Sequence, residues 1–337
     1  MLRDLLKQVS RLFYTTLAVV PAGVRDQVSL AYLFARAADT IADTELIDRP
    51  RRLEYLGQLK GQFADDQIVW PQIQNIQRAV GPLQQDSAER VLLERLDECF
   101  RLFLDFSRED RRRIQRLMTT LTQGMEMDLS VFPGKSVEDL VALKTLADLD
   151  RYTYYVAGCV GEFWTDLMCA HRKALASWDV RRMSEVGVRF GKGLQLTNIV
   201  KDLAHDLQKG RCYVPDAMLD EAGLRPRDLL EQKNLPRFQP LLGKLVRMAA
   251  EHLDQGWLYT MAIPRYETRL RLACMWPILS AGESLRLVLS SPDLLNPAVK
   301  VKIPRSRVYQ IMALTTGTFA CGYVGTAYWG WLRKQLM

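Results

Sequence analysis

Apolar residues return every three or four positions along most of the chain, and alternation at every second position is almost absent. That period marks amphipathic or buried α-helix rather than strand. It predicts helices over Asp26–Thr44, Arg51–Phe63, Ala88–Phe106, Glu109–Leu129, Val137–Met168, Ala176–Gln208, Leu241–Ala262 and Tyr266–Ser290. Breakers fall between them, at Phe132-Pro133-Gly134, Val214-Pro215-Asp216 and Ser291-Pro292-Asp293, where proline and glycine end regular structure. No Gly/Ser-rich linker, low-complexity run or fixed-period repeat divides the chain, so the pattern predicts one all-α domain.

Residues 311–337 stand apart. Ile311–Leu332 carries no charged residue and is bracketed by Arg305/Arg307 and Arg333/Lys334. Its length suffices to cross a bilayer. Yet Thr and Gly are frequent in it, and Tyr323, Tyr328, Trp329 and Trp331 crowd its end. Two readings stay open, a helix packed on the core and one associated with a membrane; basic flanks on both sides give no orientation. The N-terminal run is amphipathic, without the long apolar core of a secretory signal.

Charge and cysteine usage narrow the classes. The formal net charge of +7 suits nucleic acid, a membrane surface or a polyanionic small substrate. The clusters Arg49/Arg51/Arg52 and Arg111–Arg113 read as solvated faces, and no nucleic-acid motif accompanies them, so no nucleic-acid partner is expected. Six cysteines lie far apart without a CxxC pair, and three histidines are dispersed. A reduced, cytosolic chain without a zinc site follows.

Two constellations carry chemistry. Asp39 and Asp43 sit at i, i+4, so a helix places both carboxylates on one face one turn apart. The run before them, Val28-Ser-Leu-Ala-Tyr-Leu-Phe-Ala35, is mostly apolar; a largely buried helix carrying two carboxylates needs partners or metal for them. Asp202 and Asp206 repeat the spacing, with Asn198 one turn earlier and Gln195 on roughly the same face. Mg²⁺ takes one or two carboxylates, waters and phosphate oxygens. Two such pairs suit a small metal cluster that turns a diphosphate into a good leaving group.

The same residues resemble the squalene/phytoene synthase family, in the family's order. Val9-Ser10-Arg11-Leu12-Phe13 is similar to its N-terminal VSRSF element, with Leu12 in place of Ser. Arg25 precedes the first acidic helix, and Ala35–Asp43 resembles the first aspartate-rich motif. Gly124-Met125-Glu126-Met127-Asp128-Leu129 is similar to the bacterial GMxxDL element. Tyr152–Gly161 resembles YxxxVAGxVG, and Gly193–Asp206 followed by Gly210-Arg211-Cys-Tyr213-Val-Pro215 resembles the second aspartate-rich motif and the basic, aromatic turn after it. Ala42 and His205 stand where some squalene synthases carry a further Glu, and Lys201 where Arg is common. The resemblance covers roughly residues 5–310.

The resemblance implies an all-α, single-domain isoprenoid synthase bundle around a central cavity, over residues 1–310. It implies two prenyl diphosphates as substrates, with Mg²⁺ held by Asp39, Asp43, Asn198, Asp202 and Asp206. Ser10, Arg11, Arg25, Arg36, Gln195, Asn198 and Arg211 are the expected substrate contacts, Arg offering bidentate contact to phosphate. Tyr152 is the candidate for proton transfer. Phe13, Phe34, Val156, Ala157, Leu194, Cys274 and Pro277 are candidate walls of a dry cavity for carbocations. Val301–Arg305 resembles the basic strip for NADPH, making Lys302 and Arg305 candidate cofactor contacts; no GxGxxG loop is present. The terminating step stays open between squalene formation with NADPH and phytoene, dehydrosqualene or hydroxysqualene formation without it. A non-catalytic scaffold or a prenyl-lipid binder of the same fold are the remaining alternatives. A cytoplasmic protein, attached to a membrane surface through residues 311–337 if these are not core-packed, is the expected setting.

Overall fold

The computed structural model describes residues 2–9, 17, 19–317 and 324–337. Helices dominate it, as the periodicity predicts: α1 (Leu2–Val9), α2 (Ala22–Asp43), α3 (Arg49–Gly61), α4 (Trp70–Val80), α5 (Ser87–Glu94), α6 (Leu96–Asp105) and α7 (Arg108–Val131) come first. There follow β1 (Val141–Ala142), α8 (Leu146–Thr153), a π-helical turn (Tyr154–Gly158), α9 (Cys159–His171), α10 (Val180–Lys201), α11 (Leu203–Gln208) and β2 (Arg211–Cys212). The chain continues as α12 (Asp216–Glu221), α13 (Leu235–Ala262), α14 (Thr268–Ser290), α15 (Arg305–Gly317) and α16 (Val324–Gln335). Residues 1–130 with 162–180 form one compact unit, and residues 131–161 with 181–337 form the other.

In the first unit α2 is the central helix. Val24, Val28, Ala31, Phe34, Ala38 and Ile41 recur at helical spacing and are buried. Phe34 is fully buried against Phe63 and Phe100, with ring centroids 5.1 and 4.6 Å away. It is therefore a core aromatic, not a cavity wall; such pairs add about 0.5–1.5 kcal/mol beyond the area they bury. α2 stops where Thr44 turns extended. The buried Arg52 then donates Nη1 to the orphan carbonyl of Ala42 at 2.8 Å, a cation where the helix dipole is negative. α4 escaped the periodicity because its apolar positions are thinly spaced among glutamines, yet Ile73, Ile76 and Val80 are fully buried.

The second unit corrects one expectation. Val137–Met168 is not a single helix. Val141 N donates to Gly210 O at 3.1 Å and Leu143 N to Cys212 O at 3.0 Å, which draws this segment into a parallel pair with β2. Helix begins only at Leu146, behind a reciprocal Thr145/Asp148 capping box. α13 and α14 make the core, and α14 is the one helix among the described residues long and apolar enough to cross a membrane; 72% of its most apolar stretch is buried.

The described part of residues 311–332 lies in α15 and α16 and takes the core-packed form. Trp329 stacks on Trp257 at 6.1 Å, and its Nε1 donates to Asp254 at 3.1 Å. Arg333 Nε donates to the same carboxylate at 2.7 Å, and Leu332 is fully buried. Glu283 on α14, only 1% exposed, accepts from Arg307 Nη2 at 2.7 Å, from Arg286 Nε at 3.1 Å and from the Tyr328 hydroxyl. Apolar composition had hidden these acidic partners, which sit far back along the chain.

Candidate active site

From Val28 onward the residues of α2 that escape burial form a narrow stripe: Tyr32, Ala35, Arg36, Asp39 and Asp43. The i, i+4 spacing thus brings both carboxylates to the same solvent-reaching side of an otherwise buried helix. Arg36 Nη1 donates to Asp39 Oδ2 at 2.6 Å, and its Nη2 donates to Glu89 on α5. Burial opposes the guanidinium charge, but Asp39 and Glu89 outweigh it and raise the Arg36 pKa. The Arg36 Nε is buried without a hydrogen-bond partner. Glu89 was not legible in the sequence, since nothing in its surroundings connects it to a residue on α2.

The second acidic pair belongs to the other unit. Leu196, Thr197, Ile199, Val200, Leu203, Ala204 and Leu207 are buried, while Asn198 and Asp202 are exposed and Gln195 and Asp206 half-buried. The helix breaks at Asp202, which has φ −96° and ψ 7°. The hydrogen-bond ladder nonetheless runs through the break, from Asp202 N to Asn198 O at 2.8 Å and from Asp206 N to Asp202 O at 3.0 Å. Lys201 Nζ lies 3.1 Å from Asn198 Oδ1 and 3.1 Å from Asp202 Oδ2. Each acidic pair therefore keeps a cation on its leading aspartate, Arg36 on Asp39 and Lys201 on Asp202.

α10 is placed by backbone contact. A Cβ on Gly161 of α9 would stand 2.1 Å from Gly187 O, and one on Gly191 would stand 2.2 Å from Ala157 O. Glycine at 161 thus lets the two helices touch along their main chains. A Cβ on Gly158 would meet only side chains, Tyr154 at 3.1 Å and Val188 at 3.2 Å.

Tyr152 lies in the last turn of α8, is 8% exposed, and stacks on Tyr213 with centroids 4.7 Å apart and planes 22° from parallel. Phe132 meets the far ring of Tyr213 edge-on at 5.1 Å. Arg211, half-buried in β2, is held by the turn at Gly210, whose φ of +75° and contact with Ser136 O leave no room for a side chain. Burial, then Lys209 and Lys300, with Arg211 adding to them, hold the His205 pKa below its ordinary value, opposed by Asp202. The second acidic pair is thus bordered by cations, and Lys300 brings the start of the Val301–Arg305 strip to it. Lys302 and Arg305 are exposed. Arg25 donates Nε and Nη2 to Val20 O at 3.0 and 2.8 Å, a local task at the start of α2. Ser10, Arg11 and Phe13 lie outside the described residues.

The donor chemistry fits a hard cation. Each pair offers carboxylate oxygens alone, with an amide oxygen added by Asn198. Among the described residues no three His, Cys, Asp or Glu side chains form a metal cage by themselves. A pair that leaves positions for water and phosphate oxygens is what Mg²⁺ binds.

An all-helical chain with two DxxxD turns on buried helices defines a class of isoprenoid synthase-like proteins. The profile of the squalene/phytoene synthase family matches residues 6–307, and the chain belongs to that family. The squalene synthase of Schizosaccharomyces pombe is 24% identical over 299 residues, which cover 89% of this chain and 61% of that protein. A bifunctional lycopene cyclase/phytoene synthase of Pyrenophora tritici-repentis is 26% identical over 315 residues, covering 90% of this chain and 48% of that one. The chain thus spans about three fifths of the first relative and about half of the second. TcSQS in complex with the ligand BPH1237 superposes with a TM-score of 0.79 at 22% identity, covering 99% of this chain and 90% of that one. The fold is that of this family.

Proposed function

We propose that the protein condenses two farnesyl diphosphates head to head into presqualene diphosphate and reduces this to squalene with NADPH. The observation that carries the reading is the two i, i+4 aspartate pairs, each set beside buried apolar positions and each with a cation on its leading aspartate. Asp39, Asp43, Asp202 and Asp206, with Asn198, are the residues that would hold Mg²⁺. That ion, when bound, neutralises diphosphate and stabilises the charge left on its departure. Arg36 and Lys201, which now hold Asp39 and Asp202, would be placed to turn to diphosphate oxygens. Arg211, Gln195, Arg25, Ser10 and Arg11 complete the grip on the substrates.

The C–O bond of one farnesyl diphosphate breaks, and its electron pair leaves with diphosphate. The double bond nearest the diphosphate of the second molecule attacks the allylic cation. A proton then leaves as the cyclopropane closes, and the Tyr152 hydroxyl hands it towards the departed diphosphate. The stacked faces of Tyr152 and Tyr213 suit a neighbouring cation. The C–O bond of presqualene diphosphate then breaks, its electron pair leaves with the second diphosphate, and the cyclopropylcarbinyl cation left behind rearranges and takes a hydride; Lys302 and Arg305 would meet the phosphates of the NADPH that supplies it. The resemblance to phytoene synthase keeps a second reading, in which the rearranged cation loses a proton instead. The reading places the enzyme in the cytoplasm and against a membrane, the only local solvent for a C30 hydrocarbon.

The test is incubation of the pure protein with farnesyl diphosphate and Mg²⁺, with and without NADPH, followed by identification of the hydrocarbon. Squalene that requires NADPH supports the first reading. A conjugated triene formed without NADPH supports the second. No diphosphate release from any prenyl substrate defeats both and leaves a scaffold of this fold.

A further inference from the structure

α5 carries an acidic residue on its inner side. Glu89 shares a helical face with Leu92 and Leu93, both fully buried, and its own side chain is 21% exposed. It lies in the first turn of α5, where the helix dipole favours a carboxylate. The approach of α5 to α2 is built from polar contacts. Asp86 caps α5 by accepting from Ala88 N at 2.8 Å. Arg90 donates Nε and Nη2 to Gln84 O at 3.2 and 2.7 Å. The buried Gln84 donates to Thr44 Oγ1 at 2.8 Å, and Thr44 Oγ1 donates to Thr40 O at 2.6 Å. The first turn of α5 is thereby tied to the end of α2, directly beyond Asp43.

Glu89 meets Arg36 from this fixed base. Arg36 Nη1 donates to Asp39 and Nη2 to Glu89, while Nε is buried without a hydrogen-bond partner. The Glu89 contact thus sets the plane of the guanidinium and divides one positive charge between two carboxylates. A metal ion approaching Asp39 competes with a guanidinium already shared with Glu89, and Arg36 can release Asp39 without losing its place. We propose that Glu89 is a positioning residue for the first acidic pair: it holds Arg36 beside the site, so that Asp39 can exchange its arginine for Mg²⁺ while Arg36 stays to meet diphosphate. This rests on the reading of Asp39 as a Mg²⁺ ligand. Without Glu89 the whole guanidinium charge falls on Asp39, and one negative charge that attracts the metal is gone. Both changes oppose metal binding.

Thermal melting of the full chain, titrated with Mg²⁺ in the presence of inorganic pyrophosphate, reads metal binding without turnover. Glu89→Gln keeps the shape and an acceptor oxygen but loses the charge. It should raise the Mg²⁺ concentration at the midpoint of stabilisation about ten-fold. Glu89→Asp keeps the charge but draws it back by one methylene; it should shift the midpoint about two-fold, and it serves where the Gln variant does not fold. Glu94→Gln, at the exposed end of α5, should titrate like the parent. In turnover at saturating Mg²⁺, Glu89→Gln should raise KM for farnesyl diphosphate and leave kcat within about two-fold of the parent. A parent-like midpoint in the Glu89 variants overturns the proposal, even where their metal-free melting temperature falls, since that is an ordinary ion pair between helices. An equal shift in Glu94→Gln overturns it too, by tracing the effect to the general field. Asp39→Asn separates the two premises. If it titrates like the parent, the reading of Asp39 as a ligand fails. If it abolishes the Mg²⁺-dependent rise while Glu89→Gln titrates like the parent, that reading stands and only the role of Glu89 falls.

Discussion

Replacing Gly161 by alanine tests how α10 is positioned. The new Cβ would stand 2.1 Å from Gly187 O, 2.2 Å from Gly187 C and 2.7 Å from Val188 N, about 0.9 Å inside the 3.0 Å that real Cβ atoms keep. All three neighbours are backbone atoms, so no side chain can rotate away, and α9 and α10 must separate by about an ångström. Overpacking of this kind costs about 1–3 kcal/mol, and a backbone collision belongs at the upper end. For a chain of this size the melting temperature should fall by about 4 °C. α10 also carries Gln195 and Asn198 and leads directly into Asp202, and a misplacement of about an ångström costs on the order of 10²-fold in rate. Thermal melting and diphosphate release from farnesyl diphosphate read the two effects. Gly57→Ala is the control: it lies exposed in α3 with nothing within 4 Å of the added carbon, and should gain roughly 0.5–1 kcal/mol. If Gly161→Ala melts and turns over like the parent, the close-crossing argument is wrong.

Three further outcomes follow from the same contacts. Asp202→Asn should lower diphosphate release by about 10²–10³-fold while moving the melting temperature little, because the Asp202–Lys201 pair is exposed; activity within a few-fold of the parent would remove Asp202 from the metal site. Glu283→Ala strands Arg307, Arg286 and Tyr328 at a buried position and should cost roughly 3–5 kcal/mol in urea unfolding, with faster proteolysis in α15; an unchanged midpoint contradicts this. His252 is held down to about 4, by burial first and then by Arg189 and Lys192. Folding therefore favours its neutral form, so the contribution is complete above pH 6.5 and is lost as pH falls towards 4. Urea midpoints should drop across that window, and His252→Gln should flatten the slope; an equal slope in the variant rules the residue out as its source.

Much of the fold was legible because burial on one side of a helix leaves a periodic trace. α2 was read as Asp26–Thr44 and runs Ala22–Asp43, and the carboxylate stripes on α2 and α10–α11 stand where i, i+4 spacing places them. Partners far along the chain leave no such trace. Glu89 on Arg36, β2 on β1, and Asp254 and Glu283 under the aromatic segment at 328–333 are all of this kind. The break at Asp202 and the π-helical turn at 154–158 are invisible for a different reason: the residues there keep helical composition, and only the backbone departs from regular α-helix.

That π-helical turn fits one residue more into its span than an ordinary turn would hold. Its two sides consequently run out of phase, with Tyr152 against Tyr213 before the surplus and Gly161 against α10 after it. Excising a single residue from 154–158 would let the segment anneal to uniform α-helix and swing Tyr152 about 100° around the axis. One lost codon, with every named side chain intact, would then separate the aromatic stack from the glycine crossing.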